Sequence, residues 1–207
     1  MTYDTTNMSH TAPSHTTHGL DYNDAKPQGI FEMIPKGTVA RVILNIRPGG
    51  YDNPEKNCTG GWATCNTTSG SIYLSCEYIV LEKGEYYGQR IWGLIGLHSP
   101  KSDIWATMGR SFIRGVLDSA RGFSSKDASV AAQAARTMKS FGELNGLAFV
   151  ARIDVEKDKD TDELRNVIKV AVTKDHKDYA AHASDDYAGP SSSLRTSTIA
   201  SSPSWLR

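Results

Sequence analysis

The sequence has no uninterrupted apolar stretch near the roughly 20 residues that a bilayer-crossing helix needs. Its first residues, rich in Thr, Ser and His, lack the charged-then-apolar order of a secretory leader. Both absences predict a soluble, intracellular chain. Cysteine is scarce: Cys58, Cys65 and Cys76 are the only three, an odd number in a 207-residue chain. That argues against a secreted disulfide scaffold and predicts reduced thiols. Excess charge of either sign is missing too, since 23 Lys and Arg balance 23 Asp and Glu. Any affinity for a polyanion must therefore come from how the basic residues are placed.

Catalytic signatures are also lacking. There is no phosphate-cradling Gly-Lys-Ser/Thr loop, no nucleophile elbow and no paired-histidine metal helix. His98 stands alone between segments, so no catalytic residue, no cofactor and no enzymatic activity are expected. Cys58 and Cys65 are seven apart with no second close Cys or His pair, which does not suit structural zinc. Asp158, Asp160 and Asp162 begin like a calcium loop, but Glu163 stands where Gly is needed and Lys169 where Glu is needed. No metal is expected, and this acidic stretch reads as a solvated hairpin tip.

What is present is a patterned middle between two polar ends. Residues 1–29 and 176–207 offer too little apolar surface to offset the entropy of ordering, so both are expected to be disordered tails around one domain at 30–175. Trp205 and Leu206 are the apolar exceptions near the C-terminus. Within the domain, Ala40, Val42, Leu44 and Ile46 alternate with Arg41, Asn45 and Arg47, the period of a half-buried strand. Residues 71–81 repeat the pattern with Ile72, Leu74, Cys76, Tyr78 and Val80; after the Lys83-Gly84 turn, residues 89–97 read as a third strand.

The period then changes. Ile104, Met108, Phe112 and Val116 recur every four residues, predicting a helix from Pro100 that stops at Gly122, with a second helix over 127–139. Strands four and five follow at Leu147–Ile153 and Val167–Val172, with Asn145-Gly146 as the turn that opens the fourth. The predicted fold is mainly β with a helical insert: a five-stranded OB-like barrel whose helix separates strands three and four.

Strand parity turns this pattern into a candidate site. If Ile91, Gly93, Ile95 and Leu97 face the core, then Arg90, Trp92 and Leu94 face outward, and Tyr73 points the same way. An indole on a solvated sheet beside an arginine suits stacking against nucleobases. Packing of Tyr73 and Trp92 beneath the helical insert is the competing outcome. Arg41 and Arg47 would add phosphate contacts, and the Gly-rich loop from Pro48 to Gly70, bearing Lys56 and Trp62, could fold over a bound strand. Between Tyr86 and Ser140, eight basic residues face three acids, and Arg110, Arg114 and Arg121 share one helical stripe. The expected nucleic-acid-binding set is Arg41, Arg47, Lys56, Trp62, Tyr73, Arg90, Trp92, Arg110 and Arg114. A protein-interaction or inhibitor module using the sheet edge and tails is the alternative.

Four short motifs carry a family resemblance over residues 33–174: Pro35-Lys36-Gly37, Tyr87-Gly88-Gln89-Arg90-Ile91-Trp92, Ala120-Arg121-Gly122 and Leu144-Asn145-Gly146. With them the chain resembles the OB-fold single-stranded-DNA-binding-like proteins of phages and prophages. The resemblance implies binding of single-stranded DNA in a replication or recombination module in the bacterial cytoplasm, with replication or recombination proteins as partners and a homo-oligomeric state. Ser201–Arg207 departs from the better-known bacterial single-strand binders, whose tail is an acidic run ending in Pro-Phe.

Overall fold

A computed structural model describes residues 32–158 and 161–183, together with Asn23. The chain divides into two compact units, 1–31 and 32–207, and the architecture below is that of the second. The expected N-terminal tail, apart from Asn23, and residues 184–207 of the expected C-terminal tail, including Trp205 and Leu206, lie outside the described residues.

The protein is mainly β, an antiparallel sheet curled into a half-barrel with few helices. Its strands are β1 (Val39–Arg47), β2 (Tyr51–Asn53), β3 (Cys58–Cys65), β4 (Ile72–Val80), β5 (Arg90–His98), β6 (Leu147–Lys157) and β7 (Leu164–Ala171). Among the described residues three α-helices accompany them: α1 (Ile104–Ala120), α2 (Val130–Ala135) and α3 (Tyr179–His182). The sheet runs β5-β4-β1-β6-β7. The β2–β3 hairpin attaches to β4 through Thr64↔Tyr73 and Cys65↔Ile72, beside the stretch where β4 pairs with β1. β5 and β7 approach one another across the open side, yet no ladder joins them among the described residues.

Period-two patterning explains the curl. The even-numbered residues of β1 and β4, from Ala40 to Ile46 and from Ile72 to Val80, are buried, while their odd neighbours are partly or fully open to solvent. Phe149, Ala151 and Ile153 of β6 complete the inner wall. Each fully buried side chain of this kind contributes roughly 1.5–3 kcal/mol relative to leaving it in water. Helix α1 adds Ile113, Val116 and Leu117 to the same core. Its Phe112 meets Tyr78 and Phe149 edge-on at centroid distances of 6.4 and 6.3 Å, a favoured aromatic geometry.

Two glycines let α1 lie flush on β5. A Cβ on Gly96 would fall 2.5 Å from the Trp105 ring, and one on Gly109 would fall 1.8 Å from the Gly96 carbonyl oxygen. The helix ends where the sequence predicts. Gly122 adopts φ 71°, the Phe123 N–H donates to the Asp118 carbonyl at 2.9 Å, and the Gly122 N–H donates to that of Ser119 at 3.4 Å, a Schellman arrangement.

The expected count of five strands becomes seven among the described residues, because the segment 48–70 is a hairpin and not an open loop. Its second strand carries consecutive glycines, Gly60 and Gly61, at φ 80° and 68°, a local distortion that erases the alternating pattern. Helix α2 is shorter than the predicted 127–139. Ser129 caps its start by accepting the Ala132 N–H at 3.2 Å, and the chain turns at Arg136, whose guanidinium reaches back to Asp118. Residues 176–183, expected in the tail, instead pack on the domain: Tyr179 donates from its hydroxyl to the Ser119 carbonyl at 2.7 Å, and His182 Nδ1 lies 2.7 Å from a Glu82 carboxylate oxygen.

Candidate nucleic-acid interface

Cross-strand register builds the outer face of β1, β4 and β5 as three rows. Arg47, Ser75 and Leu94 form one, Asn45, Glu77 and Trp92 the next, and Ile43, Ile79 and Arg90 the third. Paired residues of antiparallel strands point to the same side, so Leu94, Trp92 and Arg90 stand in line along β5. Trp92 is 55% exposed and Leu94 57%, uncommon values for large apolar side chains in mid-strand. Arg90 and Trp92 therefore lie as the parity argument placed them. Arg90 also donates to Glu77 Oε1 at 2.8 Å, which places a carboxylate in the middle of the face and offsets the arginine's charge there.

Trp92 also borders a cleft of about 450 Å³ between β5, β7 and α1, whose apolar wall includes Trp105, Met108 and Phe112. Its cationic residues, Arg165 and Lys169, are already paired with Asp158 at 3.1 Å and Glu156 at 2.7 Å. The hydrogen bond from Lys169 to Glu156 raises the Lys169 pKa above its ordinary value.

The other expected residues separate into distinct places. Tyr73 stays half-buried against Trp105 of α1, with ring centroids 6.1 Å apart, so the competing outcome holds for Tyr73 and not for Trp92. Trp62 does not reach the sheet face either: it packs over Gly142, where a Cβ would come within 2.7 Å of the indole nitrogen. Arg41 lies towards the opposite end of β1 from Arg47, and its guanidinium donates to the Ala183 carbonyl at 3.4 Å, beside α3. Lys56, Arg110 and Arg114 converge instead on a second groove, which Arg136 also lines.

Trp105, Met108 and Arg136 are not among the expected site residues. Trp105 and Met108 sit three apart on α1, a spacing that marks one helix face, whereas nothing in the chain order links Arg136 to Lys56. Burial pushes the Cys76 thiol up to about 12 and raises that of Cys58 as well, so both remain protonated and unreactive at neutral pH. Among the described residues no three His, Cys, Asp or Glu side chains gather as a metal site would require. No protein-family model matches the chain, and no curated protein matches it significantly.

Proposed function

We propose that this domain is an OB-type barrel that binds single-stranded DNA, with nucleobases lying on the outer face of β4 and β5. The strand order β5-β4-β1-β6-β7, with α1 between β5 and β6, supports the OB reading, the hairpin β2–β3 being an elaboration of the connection after the first strand. The observation that carries the function is Trp92, 55% exposed in mid-strand between Arg90 and Leu94 on one face. An indole held there offers a flat apolar surface at little entropic cost, which is what a base stack requires. The phage or prophage replication or recombination setting, and the partners and oligomer that go with it, come from the resemblance in the four short motifs.

Titration of tryptophan fluorescence with short single-stranded and duplex oligonucleotides tests the reading. Single strands should quench and duplex should not. Trp92→Ala should keep the circular-dichroism spectrum and lose about 1–3 kcal/mol of binding, the usual worth of one base stacked on an aromatic ring. Unchanged affinity in a folded Trp92→Ala protein would end the assignment.

The Arg90–Glu77 pair makes a second expectation. Removing the carboxylate charge with Glu77→Gln releases Arg90 toward phosphate, so affinity should rise and the logarithmic salt slope should steepen by roughly 0.7, one single-strand phosphate contact. Stability should change by about 1 kcal/mol, because Arg90 at 58% exposure is free to turn to solvent although Glu77 is only 16% exposed. Weaker binding by this variant would place the strand elsewhere. A protein-interaction module is the second reading, favoured by the edge of β7 that no ladder occupies among the described residues and by exposed Leu164 and Val170. A partner recovered after nuclease treatment, with no oligonucleotide shift, would select it.

A further inference from the structure

The groove on the other flank of α1 is a separate surface. It measures about 710 Å³ and lies between α1, the 3₁₀ turn Pro54–Lys56 that follows β2, and the segment after α2. Lys56, Arg110, Arg114 and Arg136 line it, and among the described residues no acidic side chain does. These cations come from three parts of the chain, and the fold alone brings them together.

Their engagement differs. Arg136 is committed to the protein: its guanidinium donates to Asp118 Oδ1 at 2.7 Å, to the Asp127 carbonyl at 2.7 Å and to the Ser124 carbonyl at 3.1 Å. Arg114 donates to the Ser125 carbonyl at 3.0 Å and lies 3.7 Å from Asp118 Oδ2. Lys56 and Arg110 are exposed and have no ion-pair partner among the described residues. The floor beneath them is apolar, formed by Leu97, Ile113, Met138 and Phe141. A groove with two unspent cations on its rim, two more in its wall and no lining carboxylate is complementary to a chain of phosphates.

We infer that this groove is a second nucleic-acid contact, which takes the phosphodiester backbone of a single strand continuing past the β4–β5 face and over α1. The inference rests on the single-strand reading of that face. It divides the work between two surfaces. On the sheet, Glu77 offsets Arg90 and stacking dominates, whereas in the groove unpaired charge dominates and bases have no exposed ring to lie on. Most of the salt dependence of binding then originates in the groove.

The test compares single strands near the two ends of the usual site-size range, about 4 and about 16 nucleotides, on the full chain, its Lys56→Glu/Arg110→Glu variant and a Lys177→Glu charge control. The long strand should bind the parent more tightly than the short one. In the double variant it should weaken by about tenfold, with the salt slope falling by roughly 1.4, two contacts at 0.7 each. Short-strand quenching that depends on Trp92 should persist, and the charge control should follow the parent. Long-strand affinity and slope that match the parent in the double variant would overturn the groove. If no strand quenches through Trp92 but the long strand still binds through Lys56 and Arg110, the groove stands and the sheet-face assignment falls. If no strand binds the parent at all, both fall.

Discussion

Gly109→Ala is expected to destabilise the domain by about 3 kcal/mol, although alanine is the better helix former by about 1 kcal/mol in a helix interior. The reason is the closeness of α1 to β5. The added methyl would sit 1.8 Å from the Gly96 carbonyl oxygen, 2.8 Å from its carbonyl carbon and 3.1 Å from its nitrogen, all of them backbone atoms. A flexible side chain could swing aside, but the backbone of β5 cannot move without disturbing its ladder with β4. The whole helix must lift, taking Ile113, Val116 and Leu117 from the core and Trp105 from its place against Gly96 and Tyr73. For a domain of this size the loss should lower the melting temperature by roughly 6–12 °C. Gly115→Ala is the comparison within the same helix, because its Cβ would meet only the Ala171 methyl at 3.3 Å. It should be near neutral in the same denaturant series. Equal stability of the two variants would show that the flush packing has no energetic weight.

The close approach of α1 also explains which parts of the site were legible in the sequence. Alternation tells which face a strand residue occupies, so Trp92 and Arg90 could be placed outside from parity alone. Parity does not tell what covers a face. Tyr73 has the same outward parity as Trp92, and the position of Trp105, set by Gly96 and Gly109, separates a half-buried ring from an exposed one. Arg41 shows the same limit, since the element beside it, α3, comes from a segment whose composition reads as a tail.

The fold is more legible in the sequence than the site, for a related reason. The inner residues of β1, β4 and β6 form one uninterrupted apolar face, and a slip of one residue would expose the entire set. The hairpin β2–β3 has no such face: β2 is three residues long and β3 is broken by Gly60 and Gly61, so nothing periodic marked it. Lys56, at the end of the 3₁₀ turn within that hairpin, therefore reads in the sequence as part of a loop over the sheet. Its meeting with Arg110 and Arg114 is a product of tertiary structure, as is the register that sets Glu77 opposite Trp92.

The largest loss of stability should come from Arg136→Ala, at about 3–5 kcal/mol, the usual cost of stranding one partner of a buried ion pair. Asp118 is 1% exposed and Arg136 14%, so this pair, unlike those of the surface, is little screened by solvent. Among the described residues Asp118 Oδ2 already has no hydrogen-bond donor, which leaves the bond from Arg136 to Oδ1 as the principal compensation for the buried charge. Arg114, 3.7 Å away and 56% exposed, is too distant to replace it. The same guanidinium ties the end of α2 to the backbone at Ser124 and Asp127, so its removal also frees two carbonyls. Arg136→Lys should recover only part of the loss, because one ammonium cannot reach three acceptors in the arginine's planar geometry. Asp118→Asn in the Arg136→Ala background should recover more, since an amide costs far less than a carboxylate in the interior. A double-mutant cycle by urea unfolding measures the coupling. If the two single changes simply add, Asp118 is compensated by some other group, and the buried pair does not fasten α2 to α1.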